Sequence, residues 1–372
     1  MPALLFLLAV VAIRAALLIR QRGALRADTG TSYARALVTQ RVSAQLWQCA
    51  WALLILGSAD AVSRLSLSLG SIGTLFVIIL AGWFWELPPK AWKLFVLDAH
   101  YGFNRLKPLQ FAREQALRAL MFAALALPAA AIAIALVQYA GAGWWLVLWA
   151  IGWGGFAVVR WLQPRYVSPL FDPVEPLPDG PLKARLQALL TRCGVTRQRL
   201  FLMRASARSA QANAQVSGSL SSPRIVLHDT LIQQLQPAEV EAVVAHELGH
   251  LQRGHLRSQM LMLGTLWLLL IAFLVLLTQT VADTTVRLAL AWALFPSAWL
   301  LAQPWLNTAY RRFEFEADEA AAQNSSPAAM ASALRTLTKQ NANAIQNDRW
   351  YEWVYHSHPA LPARLAKLDR AA

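Results

Sequence analysis

Charged residues are scarce in this chain of 372 residues, where 15% are Asp, Glu, Lys or Arg and 57% are hydrophobic. Soluble domains carry roughly 25% charged residues, so this composition excludes an ordinary soluble protein and predicts a chain that lies in a lipid bilayer. Acidic residues are the scarcer sign, with 20 Asp and Glu against 34 Lys and Arg. The basic residues are scattered between apolar segments and form no single patch with interleaved aromatics, which argues against nucleic acid as a partner.

Cysteine is almost absent from the chain, which has only two such residues. Cys49 falls in an apolar segment and Cys193 in a polar one, far away along the sequence. Two cysteines placed in this way provide neither a disulfide framework nor a cysteine-based zinc site, so both of these classes are excluded.

Long apolar runs are what the sequence has in abundance. Each is close to the roughly 20 residues that a helix needs to cross a bilayer, so about seven transmembrane helices are predicted. The positive charges near the first run follow it, which indicates a retained helix and not a cleaved signal peptide. Arg14 lies inside this run and is expected to face the protein interior, a watery cavity or the interface. The predicted spans are residues 2–20, 47–66, 68–86, 117–139, 143–162, 259–281 and 285–305.

The distribution of positive charge among the loops predicts the orientation. Most loop Lys and Arg residues lie in 20–46 and 87–116, whereas the two short turns between later spans hold only Arg287. Under the positive-inside rule the N-terminus lies outside, and the long polar segments 163–258 and 308–372 are cytoplasmic.

The first polar segment has a pattern of its own. It begins with a proline-rich connector and continues with an amphipathic helix from Pro181. Short extended runs separated by polar turn residues then predict a small β-sheet that contains a hairpin. Pro237 opens the next helix, which we expect to run directly into the sixth span.

This helix after Pro237 carries His246, Glu247 and His250. Residues four apart stand on one helix face, so the two imidazoles can hold one metal ion and Glu247 can reach a water bound to it. This is the HExxH arrangement of zinc hydrolases, in which tetrahedral zinc takes two imidazoles from one rigid helix. An exposed helix with solvated histidines is the alternative, but the apolar neighbours predict a largely buried helix, where unpaired His and Glu would be costly.

A third ligand has to come from elsewhere in the chain. Glu314 and Asp318 share one face of a predicted helix. Glu314 could therefore complete a His, His, Glu site, and Asp318 could accept an imidazole N–H, for which His246 is the expected donor. The alternative is a solvated acidic face beside Arg311 and Arg312.

Three other histidines are weaker candidates for a ligand. His255 lies about 140° around a continuous helix from His250 and is expected to point away from it. His100 and His228 are lone histidines, which are expected at an interface or in a turn.

Several stretches together resemble a known family, that of the integral-membrane zinc metalloproteases that include the type I CAAX prenyl endopeptidases and the HtpX-like heat-shock proteases. The stretches are HELGH at 246–250, the two-span hairpin that follows it, RRFEFEAD at 311–318 and HSHPALPARL at 356–365. Three further stretches bring the resemblance closer to the prenyl endopeptidase branch, namely HYGFN at 100–104, Asn213-Ala214 and IVLHDTL at 225–231. The resemblance covers most of the chain, although the first two spans match only by position.

The resemblance implies a mainly α-helical polytopic membrane protein. About seven transmembrane helices would surround a water-filled chamber, closed on the cytoplasmic side by an α+β zincin (thermolysin-like) domain with a small β-sheet. On this basis residues 1–162 hold spans 1–5, and 163–258 form the first part of the zinc protease domain. Residues 259–307 hold spans 6 and 7, and 308–372 form the second part of that domain.

The resemblance also implies roles for the residues singled out above. His246, His250 and Glu314 would be the ligands of one Zn²⁺ per chain. Glu247 would be the catalytic base, and Asp318 would lie behind the ligands and orient them.

Substrate contacts are implied for four further residues. Asn213 and Ala214 would lie on the strand that pairs with an extended peptide. His358 and Arg364 resemble a histidine and an arginine that contact the substrate and the reacting carbonyl. Without the resemblance, His358 would be interpreted as a tail histidine beside Pro359.

The expected function is that of a zinc-dependent, CAAX prenyl protease-like membrane endopeptidase in a bacterial inner membrane, with Glu247 and His358 in the reaction. Its partners would be the bilayer and a peptide or protein substrate, including membrane-embedded or lipidated ones. An HtpX-like quality-control protease would use the same chemistry on different substrates. A non-catalytic zinc-binding membrane scaffold or sensor is the alternative of another class, and Glu247 argues against it because a scaffold needs no base.

Overall fold

The computed structural model describes residues 2–25, 32–167, 171, 173–195, 197, 199–219 and 222–370, and most of these are helical. The N-terminal half is a bundle of mainly long helices. They are Pro2–Ala24 (α1), Ser32–Gly57 (α2), Ala59–Trp85 (α3), Leu87–Trp92 (α4), Pro108–Tyr139 (α5) and Trp144–Leu162 (α6).

The C-terminal half combines helices with a small sheet. The strands are Val174–Pro176 (β1), Arg199–Met203 (β2), Ala214–Ser219 (β3) and Ser222–His228 (β4). The helices are Pro181–Arg192 (α7), Asp229–Gln234 (α8), Pro237–Gln252 (α9), His255–Thr278 (α10), Thr284–Asn324 (α11), Pro327–Gln340 (α12), Arg349–Tyr355 (α13) and Leu361–Leu368 (α14).

Six helical segments within the described ranges are long and apolar enough to cross a membrane. They are Pro2–Ala24, Ala59–Asp98, Pro108–Tyr139, Gly141–Leu162, His255–Thr278 and Thr284–Asn324. The helix α2 has the required length but is too polar to be among them, and it packs against α1, α3 and α11. The predicted helical, polytopic membrane protein is confirmed, with six such segments where about seven spans were expected.

The predicted limits of the second span, 47–66, are wrong, because the chain turns at Ser58 within them. The expected turn between the second and third spans lies close to Gly70, whose φ of +70° and ψ of 162° interrupt the helical backbone of α3, so the third predicted span, 68–86, agrees with the part of α3 after this break. Ser63 Oγ donates to Asp283 Oδ2 at 2.9 Å, and Ser66 Oγ lies 3.2 Å from Thr285 Oγ1. Because the α10–α11 turn supplies these partners, the polar residues of α3 need no solvent, which hydropathy alone does not reveal.

Arg14 on α1 faces the protein interior, as predicted, with 2% of its surface exposed. Its Nη1 donates to Gln45 O at 2.7 Å and its Nη2 to Pro296 O at 3.3 Å. Backbone carbonyls of two other helices therefore stabilise this charge within the bundle.

The four strands form one sheet in the order β1-β2-β4-β3. The β3–β4 pair is antiparallel, with Ala214 opposite Leu227, and β2 runs parallel to β4. The predicted small sheet with a hairpin is confirmed, while residues 220 and 221 lie outside the described residues. Since β3 stands at one end of this order, its outer edge pairs with no strand of the described chain.

The helix α9 begins at Pro237, as predicted, and a capping box closes its first turn. Glu239 accepts a hydrogen bond from the backbone N–H of Gln236 at 2.8 Å, and the Gln236 side chain accepts one in return. The helix ends at Gln252, because Gly254 adopts a φ of +66° and α10 starts anew at His255. The expected direct continuation of this helix into the sixth span is therefore wrong.

The helix α11 runs unbroken for 41 residues, from the membrane segment to the end of the RRFEFEAD stretch and beyond. The expected division between residues 307 and 308 falls inside it. It crosses α9 at Gly249, where an added Cβ would lie 2.8 Å from Ala320 Cβ and 3.2 Å from Ala317 Cα. Only a residue without a side chain fits this crossing, so Gly249 sets how closely the two helices approach.

We predict that Gly249→Ala lowers the stability of the protein by about 1–3 kcal/mol, because the new methyl group overpacks against the backbone of α11. The matched control is Gly155→Ala on α6, where an added Cβ meets nothing within 4 Å. Thermal unfolding of both variants in the same detergent compares them. Equal melting temperatures for the two variants would show that α9 and α11 separate at little cost.

Candidate metal centre

Three potential ligand groups converge where α9 crosses α11. His246 Nε2 lies 3.3 Å from His250 Nε2 and 3.6 Å from Glu314 Oε2, and His250 Nε2 lies 3.5 Å from Glu314 Oε1. A tetrahedral site with bonds of about 2.0–2.1 Å has ligand atoms about 3.3–3.4 Å apart. The three side chains therefore have the spacing of one tetrahedral face, as the sequence predicts, and they could hold a metal ion.

The surroundings of these groups favour a positive charge. Glu314 Oε2 is buried and has no hydrogen-bond partner among the described residues. Burial alone would lower the pKa of His246, but its bonds to Asp318 and Glu314 raise it to about 9. A divalent cation fits this site, because it would satisfy the unpartnered oxygen and take the place of the imidazole protons.

Asp318 lies behind the imidazole of His246, as predicted. His246 Nδ1 is 2.9 Å from Asp318 Oδ1, so the carboxylate accepts the Nδ1–H and leaves Nε2 facing Glu314. Arg364 donates to the same carboxylate from Nε at 2.7 Å and from Nη2 at 2.5 Å. Its remaining Nη1 lies 3.5 Å from Glu314 Oε2, so Arg364 is the buried counter-ion of both acids.

A parallel contact holds His250, through a residue that sequence reasoning set aside. His250 Nδ1 lies 2.9 Å from His255 Nδ1, and His255 Nε2 lies 3.0 Å from Glu316 Oε2. The expectation that His255 points away is wrong, because the left-handed Gly254 breaks the helix and turns His255 back toward α11. A Gly three to five residues after HExxH is the sequence signal that could have indicated this turn.

Glu247 and His358 border the same site. The carboxylate of Glu247 is partly exposed, has no hydrogen-bond partner among the described residues, and has a pKa that burial raises. His358 Nε2 lies 3.4 Å from Glu314 Oε1, and 65% of its side chain is accessible. The surrounding protein nevertheless lowers the pKa of His358, as expected for an imidazole that lines an internal recess.

The remaining two predicted site residues lie at the sheet edge. Ala214 is the first residue of β3, and Asn213 precedes it with an exposed side chain. Asn213 Oδ1 accepts the backbone N–H of Ala214 at 2.9 Å, and Asn213 O accepts that of His228 at 3.2 Å. Ala214 therefore begins the strand with the free edge, which contacts α9, and Asn213 lies immediately before it.

An imidazole pair on one helix that meets a carboxylate near the end of a membrane helix is the arrangement of integral-membrane metalloendopeptidases, and the fold places this chain in that class. A crystal structure of Ste24p from S. mikatae superimposes with a TM-score of 0.86 and covers 99% of this chain and 98% of that one. Sequence identity with it is 21%, so this likeness shows the fold.

Comparison of sequences is more specific than comparison of folds. Residues 176–372 match the model of peptidase family M48. Residues 27–173 match a second family model, which is described as the CAAX prenyl protease N-terminal region with five membrane helices. The CAAX prenyl protease 1 homolog of Oryza sativa subsp. japonica is 31% identical over 298 residues, which cover 77% of this chain and 70% of that protein. CAAX prenyl protease 1 of Saccharomyces cerevisiae is 26% identical over 316 residues, with coverages of 76% and 68%. The chain therefore belongs to peptidase family M48 and is a metalloendopeptidase.

We predict that Arg364→Met destabilises the protein by about 3–5 kcal/mol, because it removes the guanidinium that donates two hydrogen bonds to the buried carboxylate of Asp318. The double variant Asp318→Asn/Arg364→Met should recover part of this loss. The matched control is Arg253→Met, which breaks the exposed ion pair with Glu319 and should cost at most about 1 kcal/mol. Thermal unfolding compares the three variants, and equal losses for Arg364→Met and Arg253→Met would refute the prediction.

Proposed function

We propose that this protein is a zinc-dependent, CAAX prenyl protease-like endopeptidase with one Zn²⁺ per chain. The observation that carries the proposal is the convergence of the His246, His250 and Glu314 ligand atoms at the spacing of a tetrahedral face. The names of the relatives support a substrate that ends in a prenylated CAAX motif.

The chemistry divides between the metal and the side chains around it. When bound, Zn²⁺ supplies Lewis-acid polarisation of a water molecule and of the peptide carbonyl. Glu247 takes a proton from the attacking water and delivers it to the leaving amine, and its raised pKa suits a group that must both accept and release a proton. His358 is close enough to Glu314 to donate a hydrogen bond to the developing oxyanion.

The peptide would bind as an added strand on the free edge of β3. Asn213 and Ala214 lie on this edge beside the HExxH helix, so an extended peptide there passes the metal centre. Backbone hydrogen bonds would position it with little dependence on its side chains. The guanidinium of Arg364 donates to Asp318, which bonds His246. Arg364 would therefore influence the substrate by positioning these two residues, and not by direct contact.

Two relays orient the ligands toward the metal. Asp318 accepts the Nδ1–H of His246, and Glu316 accepts the Nε2–H of His255. The free Nδ1 of His255 then accepts the Nδ1–H of His250. Each relay leaves an Nε2 lone pair directed at the cluster, which is the tautomer that a zinc ligand requires.

The membrane topology stays a proposal drawn from charge. The excess of Lys and Arg in 20–46 and 87–116 favours a cytoplasmic protease part, made of residues 163–258 and 308–372, in an inner membrane. A cysteine introduced at exposed Lys107 should react with a membrane-impermeant reagent only after the cytoplasmic face is opened. Reaction in intact cells would reverse the orientation.

We predict that Glu247→Gln keeps one zinc per chain but abolishes cleavage, because the amide cannot take the proton from water. Elemental analysis measures the zinc, and a quenched fluorescent peptide that ends in a CAAX motif measures cleavage, with and without its prenyl group. The matched control is Glu319→Gln, whose carboxylate is exposed on α11. Undiminished cleavage by Glu247→Gln would refute the assignment of the base.

We predict that His255→Phe lowers zinc affinity by about 10- to 100-fold, because His250 loses the acceptor that fixes its tautomer. Phenylalanine retains the stacking that His255 makes with Phe313 at 4.4 Å, so the packing is preserved. Glu316→Gln keeps an acceptor oxygen and should cost less. Competition with a chromophoric chelator measures the affinity, and wild-type affinity in His255→Phe would show that the relay does not orient His250.

A further inference from the structure

A cavity of about 430 Å³ adjoins the metal centre. His358 and Arg364, which both approach Glu314, form part of its wall. Other parts of the wall come from residues between 34 and 41 on α2 and between 334 and 344 on α12 and just after it. The cavity therefore extends the proposed active site toward the membrane helices.

The charged side chains that line this cavity are Arg41 and Arg364, and no described lining residue is acidic. His356 and His358 also lie in the wall, but burial lowers the pKa of each, so they add no fixed positive charge. A larger recess nearby, of about 830 Å³, is different, because Glu352 lies in its wall beside Arg311 and Arg349. Of the two walls, only that of the cavity beside the metal centre has no carboxylate among its described residues.

Arg41 is the cation in this wall that has no carboxylate partner among the described residues. Its Nη1 donates to Tyr351 Oη at 3.5 Å. Arg364 is already bonded to Asp318. The pKa of His356 supports a positive potential here, since burial and then the charge of Arg41 lower it to about 3. A half-buried arginine in such a cavity has the hydrogen-bonding capacity for an anion.

The rest of the wall suggests what kind of anion would enter. Leu37, Val38 and Leu337 contribute apolar surface, so a small, strongly hydrated anion would leave much of the cavity unfilled. Asn341 donates to Ala212 O at 3.4 Å and accepts its N–H at 3.2 Å. These two hydrogen bonds connect the end of α12 to Ala212, two positions before β3. The proposed peptide strand would lie on the free edge of β3.

We propose that Arg41 binds the C-terminal carboxylate of the peptide substrate, whose last residues occupy this cavity while the scissile bond lies at the metal centre. The proposal rests on the proposed peptidase function and assigns to it one residue that determines specificity. A peptide that ends in an amide, or that continues beyond the cavity, would lose its contact with Arg41.

Two fluorescent peptides of one sequence, one ending in a carboxylate and the other in a carboxamide, test this with the full-length protein in detergent micelles. We expect kcat/KM for the carboxylate peptide to exceed that for the amide by about 10-fold or more, as for a charged hydrogen bond. Arg41→Gln should bring this ratio close to 1, mainly by raising KM for the carboxylate peptide. Arg41→Lys, which keeps the charge, should give an intermediate ratio.

Arg113→Gln is the matched control, because it removes an exposed arginine of α5 that does not line the cavity. It should leave the ratio unchanged. A wild-type ratio near 1, or an equal loss for both peptides in Arg41→Gln together with an unchanged ratio, would overturn the proposal.

Binding to the Glu247→Gln variant separates this proposal from the proposed catalysis. Fluorescence anisotropy should show tighter binding of the carboxylate peptide, and Arg41→Gln in the same background should remove the difference. Selective binding without cleavage by the wild-type protein would remove the catalytic proposal and leave this one standing. Equal binding of both peptides would overturn it, as would competition by inorganic phosphate at the concentration at which the carboxylate peptide itself competes.

Discussion

The metal centre depends on the close approach of two helices, α9 and α11, at a glycine. Gly249 leaves no room for a Cβ against Ala317 and Ala320, so the helices pack at the shortest distance that their backbones allow. The small residues and the chemical groups are sequence neighbours, since Gly249 precedes His250 and Ala317 precedes Asp318. Close packing and site assembly are therefore one event, and a larger residue at the crossing would move ligand atoms that lie 3.3–3.6 Å apart.

Acidic side chains are few in this chain, yet a stretch of five residues in α11 contains three of them, and these contact three imidazoles. Glu314 approaches both HExxH histidines, Asp318 bonds His246, and Glu316 bonds His255. Buried carboxylates are costly unless they are paired, and here Arg364 pairs with Asp318 while Arg312 pairs with Glu316. The carboxylate left with an unpartnered buried oxygen is Glu314, which is the group that a metal ion would complete.

The two regions that match family models, residues 27–173 and 176–372, contact each other close to the site. The helix α11 begins at the membrane turn with Asp283 and delivers Glu314 about eight helical turns later. The polar side chains of α3 bond to that same turn, so the membrane bundle orients the start of the helix that carries the ligand. On the other side, α2 provides Arg41 and apolar residues to the wall of the cavity next to the metal centre, so the membrane half also shapes the surroundings of the site.

The amino-acid sequence by itself determined the features that follow from local periodicity. The 3.6-residue repeat places His246 with His250 and Glu314 with Asp318. The length of apolar runs predicts a polytopic helical protein, and short extended runs between polar turns predict the small sheet. Only the tertiary structure decided that His255 supports His250, that Arg364 bonds Asp318, and that the second helix turns at Ser58. These depend on contacts between segments far apart in sequence and on a single backbone break at Gly254, and periodicity carries no information about either.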